Sequence, residues 1–151
     1  MNDPLLDLKA QLAQELAQRC ADHLFEHDPM SRSLGMKILQ IAPGRATVLM
    51  PVRADMLNGH GSCHGGALFS LADSAFAFAC NAYNAVTVAA GVTIEFLLPA
   101  RHGDELTAVA KELWRSRRSG LYDIAIVNQR QEQIVQFRGR SHQTDGKLLD
   151  P

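Results

Sequence analysis

The sequence predicts an α+β fold in which an antiparallel sheet wraps around one long central helix. Residues 65–81 are almost all apolar or small, and a helix that is apolar nearly all round must be buried on most sides. Consecutive strands joined by short turns form an antiparallel sheet, and strand-like runs follow this helix at 86–98, 103–115, 120–128 and 133–142. A chain of 151 residues is expected to form one domain.

The segment before the central helix predicts one more helix and two strands. Residues 4–27 have helical periodicity, with Asp3 as the N-cap and Asp28-Pro29 as the end. We expect its apolar stripe to dock onto the rest of the protein, with partner binding as the alternative; the stripe comprises Leu5, Leu8, Leu12 and Leu16. Residues 34–41 and 45–53 predict strands.

These elements make residues 1–151 a single domain, with residues 1–28 as an N-terminal helical extension. Gly91 lies inside the first strand-like run after the helix and predicts either a bulge or a close backbone approach there.

The composition excludes several classes of protein. A hydrophobic share of 46% and a charged share of 21% are typical of a globular domain, not of a disordered or collagen-like chain. The net charge of −1 argues against a nucleic-acid partner. Three widely spaced cysteines do not predict a disulfide framework. Because no signal peptide or membrane-spanning stretch is evident, we expect a cytoplasmic protein with no membrane partner.

The central helix carries one narrow polar stripe, made of Ser70, Asp73, Ser74 and Asn81. Asp73 is the only Asp, Glu, Lys or Arg between residues 65 and 94. Burying an unpaired carboxylate costs several kcal/mol. Its retention therefore indicates a catalytic acid, with a capping or salt-bridged Asp as the structural alternative.

His64-Gly65-Gly66 lies where the central helix begins. A helix N-terminus offers free N–H groups and a partial positive charge, which suit a polarised carbonyl. Gly65 and Asp73 are eight residues apart, about 12 Å along a helix. One reacting carbonyl should lie about 3 Å from both its oxyanion donor and its nucleophile. We therefore expect a two-fold dimer with two shared sites, each joining Gly65 of one subunit to Asp73 of the other.

The preceding loop holds Asn58, His60, Cys63 and His64. Three crowded His and Cys residues do not match a four-ligand zinc site, so no metal is expected. A Cys63–His64 nucleophilic pair is also disfavoured, because adjacent side chains seldom point at each other. His64 either hydrogen-bonds Asn58 and fixes the loop or is merely structural.

Residues 57–77, LNGHGSCHGGALFSLADSAFA, resemble the hotdog-fold acyl-CoA thioesterases of the PaaI group, with Asn58, His64, Gly65 and Asp73 at that group's spacing. The resemblance covers roughly residues 30–143. It implies a hotdog fold, a dimer with joined sheets, a dimer-of-dimers tetramer, and hydrolysis of acyl-CoA thioesters with no metal or redox cofactor. It also implies aromatic substrates, with (hydroxy)phenylacetyl-CoA of phenylacetate catabolism as the expected one.

The resemblance gives Asp73 the role of catalytic acid, as general base or as nucleophile, the Gly65 N–H that of polarising the thioester, and Asn58 that of orienting amide. Some relatives hold the attacking water with a Ser or Thr where this chain has only alanines, at Ala77, Ala89 and Ala90. The water-holding role is therefore unassigned.

Further residues are candidates for binding substrate. Phe76, with Phe78 and Tyr83, could shape an acyl pocket, and Ser74 and Asn81 could bond a ring hydroxyl; core packing is the alternative for the aromatic residues. Candidate partners for coenzyme A phosphates, with a solvated strand face as the alternative, are Arg117, Arg118, Arg138 and Arg140. The rival functions are a non-catalytic acyl-CoA sensor and a hotdog hydratase or dehydratase.

Overall fold

A computed structural model describes residues 4–150, which form a six-stranded antiparallel sheet around a central helix. In chain order the elements are α1 (Pro4–Glu26), α2 (Pro29–Ser33), β1 (Lys37–Ala42), β2 (Arg45–Pro51), a 3-10 turn (Ala54–Met56), α3 (Gly65–Cys80), β3 (Thr87–Phe96), β4 (Glu105–Arg115), β5 (Ser119–Val127) and β6 (Gln133–Gln143). The strand order is β1-β2-β4-β5-β6-β3. This is the hotdog fold, so the predicted fold class is confirmed.

The core lies between α3 and the concave face of the sheet. Strands β2, β4 and β5 bury alternate residues, as expected when one sheet face packs on a core. Leu71, Ala72 and Ala75 of α3 are fully buried against that face. Small residues on α3 allow the helix to approach the sheet closely. The prediction of a helix wrapped by the sheet is therefore confirmed.

The short helix α2 was not predicted from the sequence. Asp28 is its N-cap, with a side chain that accepts a hydrogen bond from the Ser31 N–H at 3.0 Å, and Pro29 follows at the first helical position. Asp28-Pro29 thus ends α1 but also begins α2. The first strand starts later than expected for that reason. The predicted cap of α1, Asp3, lies outside the described residues.

The apolar stripe of α1 is not docked along its length, which corrects the expectation for its first half. Leu8 and Leu12 are 51% and 55% exposed, and Leu5 is also exposed. The helix is instead anchored by its second half, where Ala17, Cys20 and Ala21 are fully buried.

Strand β3 lies at one edge of the sheet and, within the described chain, pairs only with β6. Its pairing shifts register between Ala89 and Gly91, which confirms the predicted bulge. The open edge continues into exposed apolar residues at Phe96, Leu97 and Leu98. A long apolar edge strand offers unpaired backbone groups to another chain.

No helix within residues 4–150 combines the length and the apolar character needed to cross a bilayer.

Candidate active site

The first turn of α3 leaves one backbone donor free. His64 caps the helix, because its Nδ1 accepts a hydrogen bond from the Gly66 N–H at 2.9 Å. The His64 carbonyl accepts from the Ala67 and Leu68 N–H groups. Among residues 4–150 the Gly65 N–H has no hydrogen-bond acceptor. This free donor lies at the positive end of the α3 dipole, where a developing negative charge is stabilised.

The loop before α3 is closed by Asn58, not by a bond between Asn58 and His64. The Asn58 Oδ1 accepts from the His60 N–H at 2.9 Å and from the Ser62 N–H at 3.2 Å. The suggested Asn58–His64 hydrogen bond is therefore absent from the structure, because each side chain satisfies the backbone nearest to it. His64 fixes the start of the helix instead.

A cavity of about 360 Å³ opens beside Gly65. Asn58 and Gly65 line it together with the apolar edge residues Phe96, Leu97 and Leu98. A Cβ on Gly65 would lie 3.3 Å from the Phe96 ring, so glycine keeps the backbone N–H accessible. The structure thus brings two of the predicted site residues, Asn58 and Gly65, into one partly apolar cavity.

Asp73 lies two turns further along α3 and does not line that cavity. Its carboxylate is half-buried and forms no hydrogen bond or ion pair with any residue that the structure describes. Burial, and then the charge of Asp28, raise the pKa of Asp73. A carboxylate with a raised pKa is a stronger base, as general-base catalysis requires.

The rest of the polar stripe is used within the protein. Ser70 donates to the Gly66 carbonyl at 2.8 Å, and the Ser74 hydroxyl lies 2.7 Å from that of Ser31. Asn81 is buried; its amide donates to the Thr87 carbonyl at 2.8 Å and accepts from the Thr87 N–H at 2.9 Å. Asn81 therefore joins the end of α3 to the start of β3 and is not brought to the Gly65 cavity.

The structure also places Phe76 in the core. Phe76 is 1% exposed, and its ring centroid lies 5.4 Å from that of Tyr122 and 6.0 Å from that of Phe137. Phe78 is also buried, and the Tyr83 hydroxyl donates to Glu112 at 3.0 Å. Within one chain Phe76 and Phe78 pack the interior and do not line an accessible acyl pocket, which favours the core-packing alternative for these two residues.

The four candidate arginines are not gathered at the site. Arg138 and Arg140 lie on the sheet face opposite α3, with Arg138 held by Asp123 in a bidentate pair at 2.6 and 2.8 Å. Arg140 donates to the Ala90 carbonyl at 3.2 Å.

The other two arginines lie in the exposed β4–β5 turn, where Arg118 bonds Asp145 at 2.8 Å and Arg117 is exposed. Three of the four side chains therefore have partners inside the protein, as a solvated strand face and turn would predict.

Cys63 does not have the character of a nucleophile or a metal ligand. Burial, and then the charge of Asp104, raise the pKa of its thiol to about 11, so the thiolate is scarce at neutral pH. Within residues 4–150, no three His, Cys, Asp or Glu side chains are grouped closely enough to hold a metal ion.

Sequence reasoning missed three residues near the site. Asp28 and Ser31 lie beside α3, and Phe96 lies over Gly65. The Asp-Pro-x-Ser pattern at 28–31 is a helix-start signal that would have placed the first two. The position of Phe96 depends on how the end of β3 meets the start of α3, for which the sequence has no local signal.

Comparisons with known proteins identify the family of this chain. Residues 60–135 match the family model "Thioesterase superfamily". The chain is 48% identical to the acyl-coenzyme A thioesterase PaaI of Escherichia coli over 128 residues, which cover 85% of this chain and 91% of that protein.

Two solved structures extend the comparison. The E. coli PaaI protein from the phenylacetic acid degradation operon superposes with a TM-score of 0.88 at 47% identity, covering 89% of this chain and 98% of that one. A point mutant of the phenylacetic acid degradation protein PaaI from Thermus thermophilus superposes with a TM-score of 0.75 at 38% identity, covering 78% of this chain and 100% of that one. The chain therefore belongs to the thioesterase superfamily, within its hotdog-fold PaaI group.

Proposed function

We propose that this protein hydrolyses acyl-CoA thioesters at a site shared between two subunits. The observation that carries the proposal is the pairing, on one helix, of a free Gly65 N–H at the helix start with a half-buried Asp73 carboxylate that has no partner among the described residues. The first is a donor for a thioester oxygen and the second is a base or nucleophile. The similarity to an acyl-coenzyme A thioesterase supports CoA thioesters as the substrate class.

In the proposed mechanism, the thioester oxygen accepts a hydrogen bond from the Gly65 N–H, and the α3 dipole stabilises the charge that develops there. His64 contributes by capping the helix, and Asn58 orients the substrate or the water from the cavity wall. Asp73 takes a proton from the attacking water, or attacks the carbonyl itself to form an anhydride that water then hydrolyses. In both routes the C–S bond breaks and coenzyme A leaves as the thiolate, which takes a proton from protonated Asp73 in the first route and from water in the second.

The two-subunit site follows from distance. Eight residues of helix separate Gly65 from Asp73 by about 12 Å, too far for one carbonyl to contact both. The open edge of β3 offers a place for a second chain to extend the sheet. In the resulting two-fold dimer, Gly65 of one subunit faces Asp73 of the partner subunit, twice per dimer. A dimer of such dimers is part of the proposal.

The finer proposal is that the acyl group is aromatic, with (hydroxy)phenylacetyl-CoA as the preferred substrate. It is supported by the similarity to PaaI proteins of phenylacetic acid degradation and by the apolar wall of the Gly65 cavity. We propose that no metal or redox cofactor takes part. Of the four candidate arginines, exposed Arg117 is the one that could bind CoA phosphates without losing a described internal partner.

A cytoplasmic location completes the proposal, because the cysteines at 20, 63 and 80 are all free and buried, as suits a reducing compartment. We also propose that residues 1–151 form one hotdog domain, with residues 1–28 as its helical extension.

The direct test is Asp73→Asn, which keeps the shape of the side chain and removes the base. We expect thiol release from phenylacetyl-CoA to fall by at least about 100-fold, while circular dichroism shows a folded protein. Asp7→Asn, an exposed carboxylate on α1, is the matched control and should retain full activity. Near-normal turnover by Asp73→Asn would overturn the mechanism, and acyl-CoA binding without any turnover by the wild type would identify a sensor.

The shared site has its own test. Inactive Asp73→Asn subunits mixed with inactive Asn58→Ala subunits should regain activity, because one of the two sites in a mixed dimer contains neither substitution. Mixed dimers that form and stay inactive would contradict the two-subunit site.

A further inference from the structure

A short chain of polar groups connects the α1–α2 junction to the helix that carries Asp73. The Ser31 hydroxyl donates to the Asp28 Oδ2 at 2.5 Å and lies 2.7 Å from the Ser74 hydroxyl. Ser74 is the residue after Asp73 on α3. The chain therefore runs from the Asp28 carboxylate to the helical turn that holds the proposed catalytic carboxylate.

Asp28 is held firmly in this position. Ser31 is 1% exposed, so its hydroxyl is kept between its two partners away from water. The other Asp28 oxygen accepts the Ser31 N–H at 3.0 Å, so both oxygens act as acceptors, as in an ionised carboxylate. As the N-cap of α2, Asp28 is also fixed by the local backbone. A negative charge is thus fixed beside the α3 face that bears Asp73.

We propose that Asp28 is a positioning residue for the reaction: held by Ser31, whose hydroxyl also contacts Ser74, it places a like charge beside Asp73 and so sets how strong a base that carboxylate is. This inference rests on the proposed role of Asp73. Two nearby carboxylates oppose each other's ionisation, so the field of Asp28 makes the Asp73 carboxylate hold a proton more tightly. The direction of the Asp73 pKa, raised by burial and then by Asp28, agrees with the geometry.

The other charged groups around α3 face away from Asp73. The inward side chains of β2, β3, β5 and β6 are uncharged at neutral pH. β4 directs Glu112 to the far end of α3, where it accepts from the Tyr83 and Tyr122 hydroxyls. On α3 itself Cys80 is the neighbouring titratable group; burial, with a smaller contribution from the charge of Asp73, raises the pKa of that thiol to about 12, so it stays neutral.

Two other polar side chains near the junction have different surroundings. His27 turns back on α1, where its Nδ1 lies 2.8 Å from the His23 carbonyl. Arg32 of α2 is exposed. Within the described chain, Asp28 is therefore the charge that acts on Asp73 from the elements packed against α3.

The inference predicts a shift in the pH dependence of kcat/KM, which loss of structure would not produce. Asp28→Asn keeps the α2 cap, since Asn caps helices as well as Asp, and removes only the charge. The Asp73 carboxylate then ionises at lower pH, so the acid limb of kcat/KM moves to lower pH. The same change makes it a weaker base, so the plateau at higher pH falls, by less than about threefold. The pH profile of kcat/KM in Asp28→Asn therefore differs from that of the wild type in the position of its acid limb as well as in the height of its plateau.

The experiment measures kcat/KM for thiol release from pH 4 to 9 in wild type, Asp28→Asn, Ser31→Ala and Ser33→Ala. Each kcat/KM value is expressed as a fraction of the plateau value of the same protein. One pH unit below the midpoint of the wild-type acid limb, this fraction should be at least about twice as large in Asp28→Asn as in the wild type. Ser31→Ala should shift the limb in the same direction, because the charge is no longer held in place. Ser33→Ala, which removes an exposed hydroxyl from the same short helix, should match the wild type.

If kcat/KM of Asp28→Asn is the same multiple of the wild-type value at every pH, so that the acid limb has not moved, the inference is overturned. Asp73→Asn, measured in parallel, separates this failure from that of the proposed function. If Asp73→Asn is inactive while the Asp28→Asn limb is unchanged, only the inference fails. If Asp73→Asn is active, the proposed function itself fails.

Discussion

Replacing Phe76 tests whether this aromatic residue serves the core or the substrate. Its ring is 1% exposed and packs against Tyr122 and Phe137. It also lies so close to Gly139 that a Cβ there would come within 2.7 Å of it. The ring therefore fills a closely packed space between α3 and the sheet, and removing it leaves a cavity.

The magnitude follows from this packing. Phe→Ala at a fully buried site costs about 3–5 kcal/mol, and in a domain of this size each kcal/mol lowers Tm by about 2–4 °C. We expect Phe76→Ala to lower Tm by about 6–20 °C. Leu39→Ala, a control at an exposed apolar position of β1, should cost less than about 1 kcal/mol, because that side chain is 53% exposed.

The assay combines thermal unfolding with kcat/KM for phenylacetyl-CoA and for an aliphatic acyl-CoA. Phe76→Leu is the variant for the kinetics, since a swap between buried apolar residues of similar size costs less than about 1.5 kcal/mol. A core residue should leave the ratio of the two kcat/KM values unchanged in Phe76→Leu, whereas Phe96→Ala should raise KM. A Phe76→Ala protein with wild-type Tm, or a changed substrate ratio in Phe76→Leu, would refute the packing argument.

Three further predictions concern α3. Gly65→Ala should lower kcat/KM by at least about tenfold with little loss of Tm, because its Cβ enters the cavity 3.3 Å from the Phe96 ring and obstructs access to the N–H. Unchanged kinetics would contradict the close approach of substrate to this backbone. His64→Ala should lower Tm by an amount worth about 1 kcal/mol, because the Gly66 N–H loses its cap, and His64→Asn should restore most of it. Burial, followed by Asp28, raises the pKa of Asp73 in the folded state, so this group contributes stability below its unfolded pKa and loses it as the pH rises through the folded value. Asp73→Asn should therefore have a Tm at pH 7 at least equal to that of the wild type, and a lower Tm would contradict the sign.

Much of the fold could be predicted because its signals are local. The apolar run at 65–81 is long enough to identify α3, and the four later strands follow from alternation and turns. The bulge at Gly91 was predicted from one glycine. The prediction that the apolar stripe at the start of α1 is docked was wrong, because periodicity shows that a face is apolar but not what covers it.

The residues of the candidate site also divide into those that the sequence could identify and those that it could not. Asp73 and Gly65 could be identified from the sequence because an isolated carboxylate in an apolar helix and a glycine at a helix start are both local patterns. Asn81 and Phe76 could not be assigned, since a polar or aromatic residue on a helix bonds whatever the fold brings to it. Here the fold brings the backbone of β3 to Asn81 and the side chains of β5 and β6 to Phe76.

The sequence by itself determined the type of fold, the helix that carries the proposed site and the eight-residue spacing from which a shared site is proposed. Only the tertiary structure decided that the Gly65 N–H is free, that Phe96 stands over it, and that Ser31 joins Asp28 to Ser74, the residue after Asp73. The physical reason is the separation along the chain of the residues that interact. Helix periodicity and capping act within a few residues, whereas the pairs Gly65–Phe96 and Ser31–Ser74 are 31 and 43 positions apart. Contacts between such distant positions form only when the sheet closes around α3.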